Sequence, residues 1–155
     1  MEPERRVKGE EAMIEYDEIL LLGFAPRLLV VQPDRDEFAW LRSVLGRDRI
    51  ELHHLQDPEA LGKALEALDP DAILVEADLP AGRGVDLCRQ VRRDPRGSVL
   101  PLLCLTRRAE RDHMDSLFRA GADDCVLRQV AGTVLLPCLL EWLDPERLAR
   151  RVRSA

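Results

Sequence analysis

Four polar residues stand where this sequence could do chemistry: Gln32, Glu76, Thr106 and Arg128. Each follows a short aliphatic run, and Asp34 and Asp78 lie two residues beyond the first two of them. A carboxylate such as Glu76 and the forked guanidinium of Arg128 suit a fixed bidentate pair. Other candidates are weaker. The four cysteines, Cys88, Cys104, Cys125 and Cys138, have no C-x-x-C spacing and read as apolar residues rather than as disulfides or a zinc site. Neighbouring His53 and His54 would point to opposite faces of a strand, so both cannot easily ligate one metal. His113 beside Asp112 reads as an exposed helix residue, and Gly82-Arg83-Gly84 as a strand-to-helix turn rather than a phosphate cradle. No nucleophile–base pair or cofactor fingerprint stands out, which disfavours an enzyme.

The elements that must position these residues follow a regular alternation. Arg27–Val31, Ala72–Val75, Val99–Leu105 and Cys125–Leu127 read as strands buried on both faces, and Ile50–Leu55, alternating apolar and polar, as an outer strand. Helical spacing links Phe38, Leu41 and Leu45, with Asp34 a candidate cap and Gly46 a candidate stop. Asp57-Pro58-Glu59 starts a second helix carrying Leu61, Ala64, Leu65 and Leu68. Val85, Leu87, Cys88 and Val91 mark a third, stopped near Asp94-Pro95. A fourth runs from about Glu110 through Met114, Leu117 and Phe118 to Gly121, and a fifth from Leu135 to Trp142, with Pro137 implying a late start or a kink. Five strands alternating with five helices imply right-handed βαβ units, hence a doubly wound parallel α/β sheet whose functional crevice lies at the carboxyl ends of the strands.

The chain has 155 residues, room for one domain of ordinary size, and 46% hydrophobic residues, ample for a core. Lys and Arg number 23 against 29 Asp and Glu, a net charge of −6. That balance disfavours direct binding of nucleic acid or a membrane surface. Aromatics, at 4%, are too few for base-stacking platforms. No targeting or bilayer-spanning run is visible, so the expected compartment is the cytoplasm. The expected organisation is an N-terminal extension over 1–25, a domain over 26–143 and a helical tail over 144–155. The extension holds seven acids and three bases, with Met13, Ile14, Ile19 and Leu20 or Leu21 at roughly helical spacing. Asp144-Pro145-Glu146 looks like another helix start, leading into Leu148 and a run of arginines (Arg147, Arg150, Arg151, Arg153) that reads as a solvated face.

The stretch from about Arg27 to Trp142 resembles the receiver domain of bacterial two-component response regulators. Three segments carry the resemblance: Pro70–Pro80 with Gly84 after it, Leu102–Thr106, and Ala120–Arg128. The resemblance implies a flavodoxin-like sheet of order 2-1-3-4-5. It implies a phosphoryl switch in which an Asp ending the third strand takes a phosphoryl group from a histidine kinase. An acidic pair after the first strand would help bind magnesium. A Ser or Thr after the fourth strand and a Lys after the fifth would contact the phosphoryl oxygens, and an aromatic on the fifth strand would report the state.

This sequence departs at nearly every working position. Glu76 stands at the acceptor, Gln32-Pro33 at the acidic pair with Asp34 the nearest carboxylate, Arg128 at the Lys and Cys125 at the aromatic switch; Thr106 is retained. Magnesium needs hard oxygen ligands in near-octahedral geometry, usually carboxylates, so its binding is expected to be weak or absent, with no other cofactor. Glu76 is one methylene longer than Asp, which displaces its carboxylate by roughly 1 Å and can cost ~100-fold where in-line geometry matters. The expectation is a standing Glu76–Arg128 ion pair near Thr106, a built-in charge in place of a delivered one; the competing expectation is that both face solvent and the pocket is inert.

The function expected from these residues is a phosphorylation-independent protein-interaction module in bacterial signalling. The resemblance places partner or homodimer contacts on the face of the fourth helix, fifth strand and fifth helix. Here that face would include Leu117, Cys125, Leu127 and Leu135, although aliphatic residues there are more often core. One alternative is a working receiver phosphorylated on Glu76 or Asp78. Another is a regulator whose basic tail leads to an output domain.

Overall fold

The computed structural model describes residues 25–46 and 50–154, the side chains of the last four of these excepted. The expectations for the N-terminal extension therefore lie outside the described residues. Five strands, β1 (Arg27–Val31), β2 (Glu51–Leu55), β3 (Ala72–Glu76), β4 (Leu102–Thr106) and β5 (Asp124–Leu127), form one sheet of order β2-β1-β3-β4-β5. All four pairings are parallel. The helices are α1 (Arg35–Leu45), α2 (Leu61–Leu68), α3 (Arg83–Arg93), α4 (Arg111–Arg119), α5 (Ala131–Trp142) and α6 (Pro145–Ser154). The doubly wound 2-1-3-4-5 fold expected above is the one observed.

Why the central strands are uniformly aliphatic is visible in the two cores. On one face Leu28 and Val30, Ala72 and Leu74, Leu103 and Leu105, and Val126 meet Phe38, Leu41 and Leu45 of α1 and Leu135 and Leu139 of α5. On the other, Leu29 and Val31, Ile73 and Val75, and Leu102 and Cys104 meet Leu61 and Leu65 of α2, Leu87, Cys88 and Val91 of α3, and Leu117 of α4. Successive strand residues point to opposite faces, so a strand covered on both sides must be apolar throughout. Each such Leu or Ile contributes roughly 1.5–3 kcal/mol by leaving water.

Caps and turns fall largely where the sequence placed them. Asp34 Oδ1 accepts the backbone N–H groups of Asp36 (2.7 Å) and Glu37 (3.1 Å), capping α1, and Gly46 ends it with φ 76°. Asp57 accepts the Glu59 N–H at 3.0 Å, opening a 3-10 turn over Pro58–Ala60 before α2 begins. Gly84 packs where a Cβ would stand 2.1 Å from the Ala77 carbonyl oxygen, so the β3–α3 loop approaches α3 as only glycine allows.

Several expectations need correction. β4 starts at Leu102, not Val99; residues Gly97–Val99 make a 3-10 turn with Val99 solvent-exposed. α5 starts at Ala131, four residues before the expected start, and runs through Pro137. His54, half-buried, stacks on Phe38 with ring centroids 4.0 Å apart and meets the Gln32 carbonyl through Nε2 at 2.6 Å. The tail is not a wholly solvated face, because Leu148 joins the first core and Arg147 binds Asp69, Asp71 and the Pro70 carbonyl. Cys88 and Cys104 are buried free thiols with Sγ atoms 3.4 Å apart, whereas Cys125 and Cys138 are half-buried. Hydrogen bonding to Cys125 and Cys88, together with burial, pushes the Cys104 thiol pKa far up, so it stays protonated. Among the described residues no helix is long and apolar enough to cross a membrane.

Candidate functional site

The carboxyl ends of β1, β3, β4 and β5 bring Gln32, Glu76, Thr106 and Arg128 to one edge of the sheet, and the loop after β3 adds Asp78. Gln32 is buried, and both ends of its amide are engaged. Nε2 donates to Glu76 Oε2 at 2.9 Å and Oε1 accepts the Asp34 N–H at 3.0 Å. Glu76 Oε1 accepts the backbone N–H of Asp78, also at 2.9 Å. Burial holds the Glu76 pKa above the ordinary carboxylate value of 4.5, opposed by those two hydrogen bonds and reinforced by the nearby Asp78 charge.

Arg128 does not pair with Glu76. Its Nε and Nη2 donate to the two oxygens of Glu37, at 2.9 and 3.2 Å. Its guanidinium also lies over the Trp40 ring, 3.8 Å from the centroid. Glu37 and Trp40 are three residues apart on α1 and so share a face, which offers Arg128 a bidentate carboxylate and an aromatic plane together. Arg107 adds a third contact, Nη2 to Glu37 Oε1 at 3.1 Å. The Arg128 hydrogen bond is the largest cause that draws the Glu37 pKa below 4.5; desolvation opposes it, and the charges of Arg128 and Arg107 add to the lowering. The standing ion pair at this crevice is Glu37–Arg128, and the expected Glu76–Arg128 pair is corrected.

Thr106, almost fully buried, donates its hydroxyl proton to Asp78 Oδ1 at 2.5 Å. Its oxygen also lies 2.9 Å from His113 Nε2 and accepts the Arg108 N–H at 3.1 Å. The Arg107 N–H donates to Asp78 Oδ2 at 2.7 Å. His113, read from sequence as exposed, has only 8% of its side chain exposed and faces inward from α4. Sequence reasoning missed Glu37, Trp40 and His113. The Glu37–Trp40 spacing on the first helix, one turn past the crevice, was the signal available for two of them. His113 stands seven residues after Thr106, across a loop whose path no local pattern dictates.

Cys125 sits in β5 beside Cys104, its register partner. Of the residues placed on the α4–β5–α5 face, Leu117 and Leu135 are core, and Leu127 and Cys125 are half-buried. The exposed apolar side chains there are Phe118, Val130 and Val134. A cation would find no ready seat. At the crevice the Gln32 oxygen, both Glu76 oxygens and Asp34 Oδ1 already accept N–H groups, and the two Asp78 oxygens accept from Thr106 and Arg107. Among the described residues no three His, Cys, Asp or Glu side chains are placed to hold a metal ion. The donor set does not fit magnesium, which asks for several free carboxylate or water oxygens.

The model of the response regulator receiver domain matches residues 28–139. The chain is 30% identical over 128 residues to the DNA-binding response regulator MtrA of Mycolicibacterium smegmatis, an alignment covering 83% of this chain and 49% of MtrA. It is 27% identical over 131 residues to the phosphate regulon transcriptional regulatory protein PhoB of Rhizobium meliloti, covering 83% and 58%. This chain thus spans about half the length of those relatives. The fold superposes on chemotaxis protein CheY4 of Vibrio cholerae with a TM-score of 0.69 at 18% identity, covering 77% of this chain and 100% of that one. It also superposes on the receiver domain of a sensor histidine kinase from Pseudomonas aeruginosa, solved with magnesium in its active-site cleft. That match has a TM-score of 0.65 at 21% identity and covers 77% and 98%.

Proposed function

Because this chain belongs to the response regulator receiver domain family, we propose that it serves two-component signalling as a protein-interaction module that works without phosphorylation. The observation that carries this reading is the state of Glu76, which stands where an acceptor Asp would. Each of its oxygens already accepts a hydrogen bond, one from the Gln32 amide and one from the Asp78 N–H, and these fix where the carboxylate points. A phosphoryl transfer needs an acceptor oxygen free for in-line attack and a cation to neutralise the incoming charge. Here the oxygen is engaged and Gln32, Pro33 and Asp34 make a poor cation seat. The cation that would contact phosphoryl oxygens, Arg128, is held by Glu37 and Trp40.

Partner contacts belong on protein rather than on nucleic acid or a membrane, in line with the net charge of −6. The α4–β5–α5 face offers Phe118, Val130 and Val134 for a partner or for a second copy, and the cytoplasm is the compartment that this role needs.

The test is incubation with acetyl phosphate and magnesium, read by intact mass, beside a beryllofluoride titration followed by amide NMR. No phosphoryl adduct and no amide shift around Glu76 are expected. An adduct mapped to Glu76 or Asp78 establishes the competing reading, a working phosphoacceptor, and overturns this one.

A further inference from the structure

Three thiols form a row through the second core. Cys88 of α3 and Cys104 of β4 are fully buried, with Sγ atoms 3.4 Å apart. Cys125 of β5 is the register partner of Cys104 and packs against the same core. It is only half-buried, on a strand at the edge of the sheet. One end of the row thus meets solvent and the other lies inside the domain. Cys138 supplies the contrast. It is half-buried too, yet it packs on the opposite face of the sheet and donates its S–H to Asp124 Oδ2 at 3.2 Å.

Both neighbouring pairs can be bridged. Adjacent strands stand about 4.8 Å apart, within the roughly 4.4–6.8 Å between Cα atoms that a disulfide spans, so Cys104 and Cys125 stand at bridging distance. Between Cys88 and Cys104 the sulfurs are already in contact, and side-chain rotation can close the remaining gap to the roughly 2 Å of a bond. The protons are ordered as well. Cys104 keeps its proton and donates it to Cys88. That hydrogen bond draws the Cys88 thiol below its ordinary pKa of 9.0, against burial, and the Arg92 charge one turn further along α3 adds to the lowering. Of the two buried sulfurs, Cys88 is therefore the one suited to attack.

We propose that Cys125, Cys104 and Cys88 form a thiol relay that accepts oxidation by a hydroperoxide at Cys125 and stores it as a Cys88–Cys104 disulfide. In the first step the Cys125 sulfur attacks the peroxide, an S–O bond forms and the O–O bond breaks. The departing oxygen takes the thiol proton, leaving as water when the oxidant is hydrogen peroxide, and Cys125 becomes a sulfenic acid. The Cys104 sulfur then attacks the Cys125 sulfur, and hydroxide leaves with the Cys104 proton as a second water. Last, Cys88 attacks the Cys104 sulfur, and the Cys125 sulfur departs with the Cys88 proton. Two thiols are oxidised by two electrons, the peroxide is reduced, and Cys125 is a thiol again. The stored bond ties α3, which carries Gly84, to β4, which ends at Thr106. A thiol reductant reverses it, as suits a redox-sensing rather than a structural bridge. The relay does not depend on how Glu76 reacts.

The test treats the whole folded chain with hydrogen peroxide, quenches it at intervals with N-ethylmaleimide in denaturant, and reads intact mass and bridged peptides. The wild type is expected to lose two of its four alkylatable thiols, with the bridge mapped to Cys88–Cys104 and opened by dithiothreitol. Cys125→Ser is expected to lose the bridge over the time in which the wild type completes it. Cys88→Ser is expected to stop at a Cys104–Cys125 bridge, and Cys138→Ser to behave as wild type. Three results overturn the proposal: sulfinic acid on Cys125 with no bridge, a bridge through Cys138, or bridging that Cys125→Ser leaves at its wild-type rate. Should a buried serine unfold the domain, Cys88→Ala takes its place, and the wild-type map still decides, since a native chain that never holds Cys88–Cys104 has no relay.

Discussion

Glu76 and Glu37 border the same crevice and answer pH in opposite senses. Burial raises the Glu76 pKa above 4.5, so in the window between 4.5 and that raised value the folded state binds more protons than the unfolded one. Stability from this group is present below pH 4.5 and is lost as pH climbs through the window. Glu76→Gln cannot show that loss. In urea melts across pH, the variant's stability relative to wild type is expected to improve from pH 4 to pH 7, and a flat difference removes the burial argument. Glu37 runs the other way, since Arg128 and Arg107 lower its pKa. Its contribution is present above 4.5 and lost as pH falls through the depressed value. Glu37→Gln is expected to cost about 1 kcal/mol at neutral pH, the range for a part-exposed bidentate pair, and progressively less in acid. It should also change Trp40 fluorescence, because the Arg128 guanidinium rests on that ring.

At the scale of elements, the β3–α3 junction sets where Glu76 and Asp78 can be. Two glycines there do different work. A Cβ on Gly84 would meet backbone, the Ala77 oxygen at 2.1 Å, whereas one on Gly82 would meet open space but inherit φ +72°. Gly84→Ala must therefore push the loop that carries Ala77, and a cost of about 1–3 kcal/mol is expected, with displaced Asp78 and Arg107 amide resonances. Gly82→Ala is expected to cost about 1–2 kcal/mol from the left-handed backbone alone and to leave those resonances in place. Equal spectra for the two variants would show that the close approach does not position the site. The same junction shows why some elements were legible in the sequence. β1 and β3 are bounded by punctuation and buried on both faces, so four or five aliphatic residues in a row identify them. The start of β4 was misplaced because Val99 and Leu100 are as apolar as Leu102, although Pro101, which cannot donate to a strand ladder, stands at the boundary and Val99 turns to solvent before it. At α5, Ala131 to Val134 carry no cap signal, since a 3-10 turn over Arg128–Val130 feeds directly into the helix.

Over the whole molecule, residues at strand ends could be assigned to the crevice, but their partners could not. Arg128 meets Glu37 across 91 positions of sequence, and a choice between Glu37 and Glu76 depends on packing that no local period encodes. The same holds for the far end of the sheet, where α6 docks. Asp71, 1% exposed, accepts the Arg27 N–H at 2.7 Å and Arg147 Nε at 3.3 Å. Arg147 Nη2 also reaches Asp69 at 2.6 Å and the Pro70 carbonyl at 2.9 Å. Beside it Leu148 is 2% exposed and packs in the core shared with α1 and α5. A polar clamp and an apolar plug one residue apart thus hold one helix to the loop that leads into β3. Leu148→Ala is expected to cost about 2–4 kcal/mol through lost burial and the cavity left behind. Arg147→Ala is expected to cost about 1–3 kcal/mol, because it leaves the buried Asp71 carboxylate short of a donor. The double variant should cost less than the sum, since either change alone frees the helix that the other residue needs for its contacts. Chemical denaturation read by Trp142 fluorescence measures all three. Strict additivity would mean that Arg147 and Leu148 act on the sheet independently and that α6 has no docked state of its own to lose.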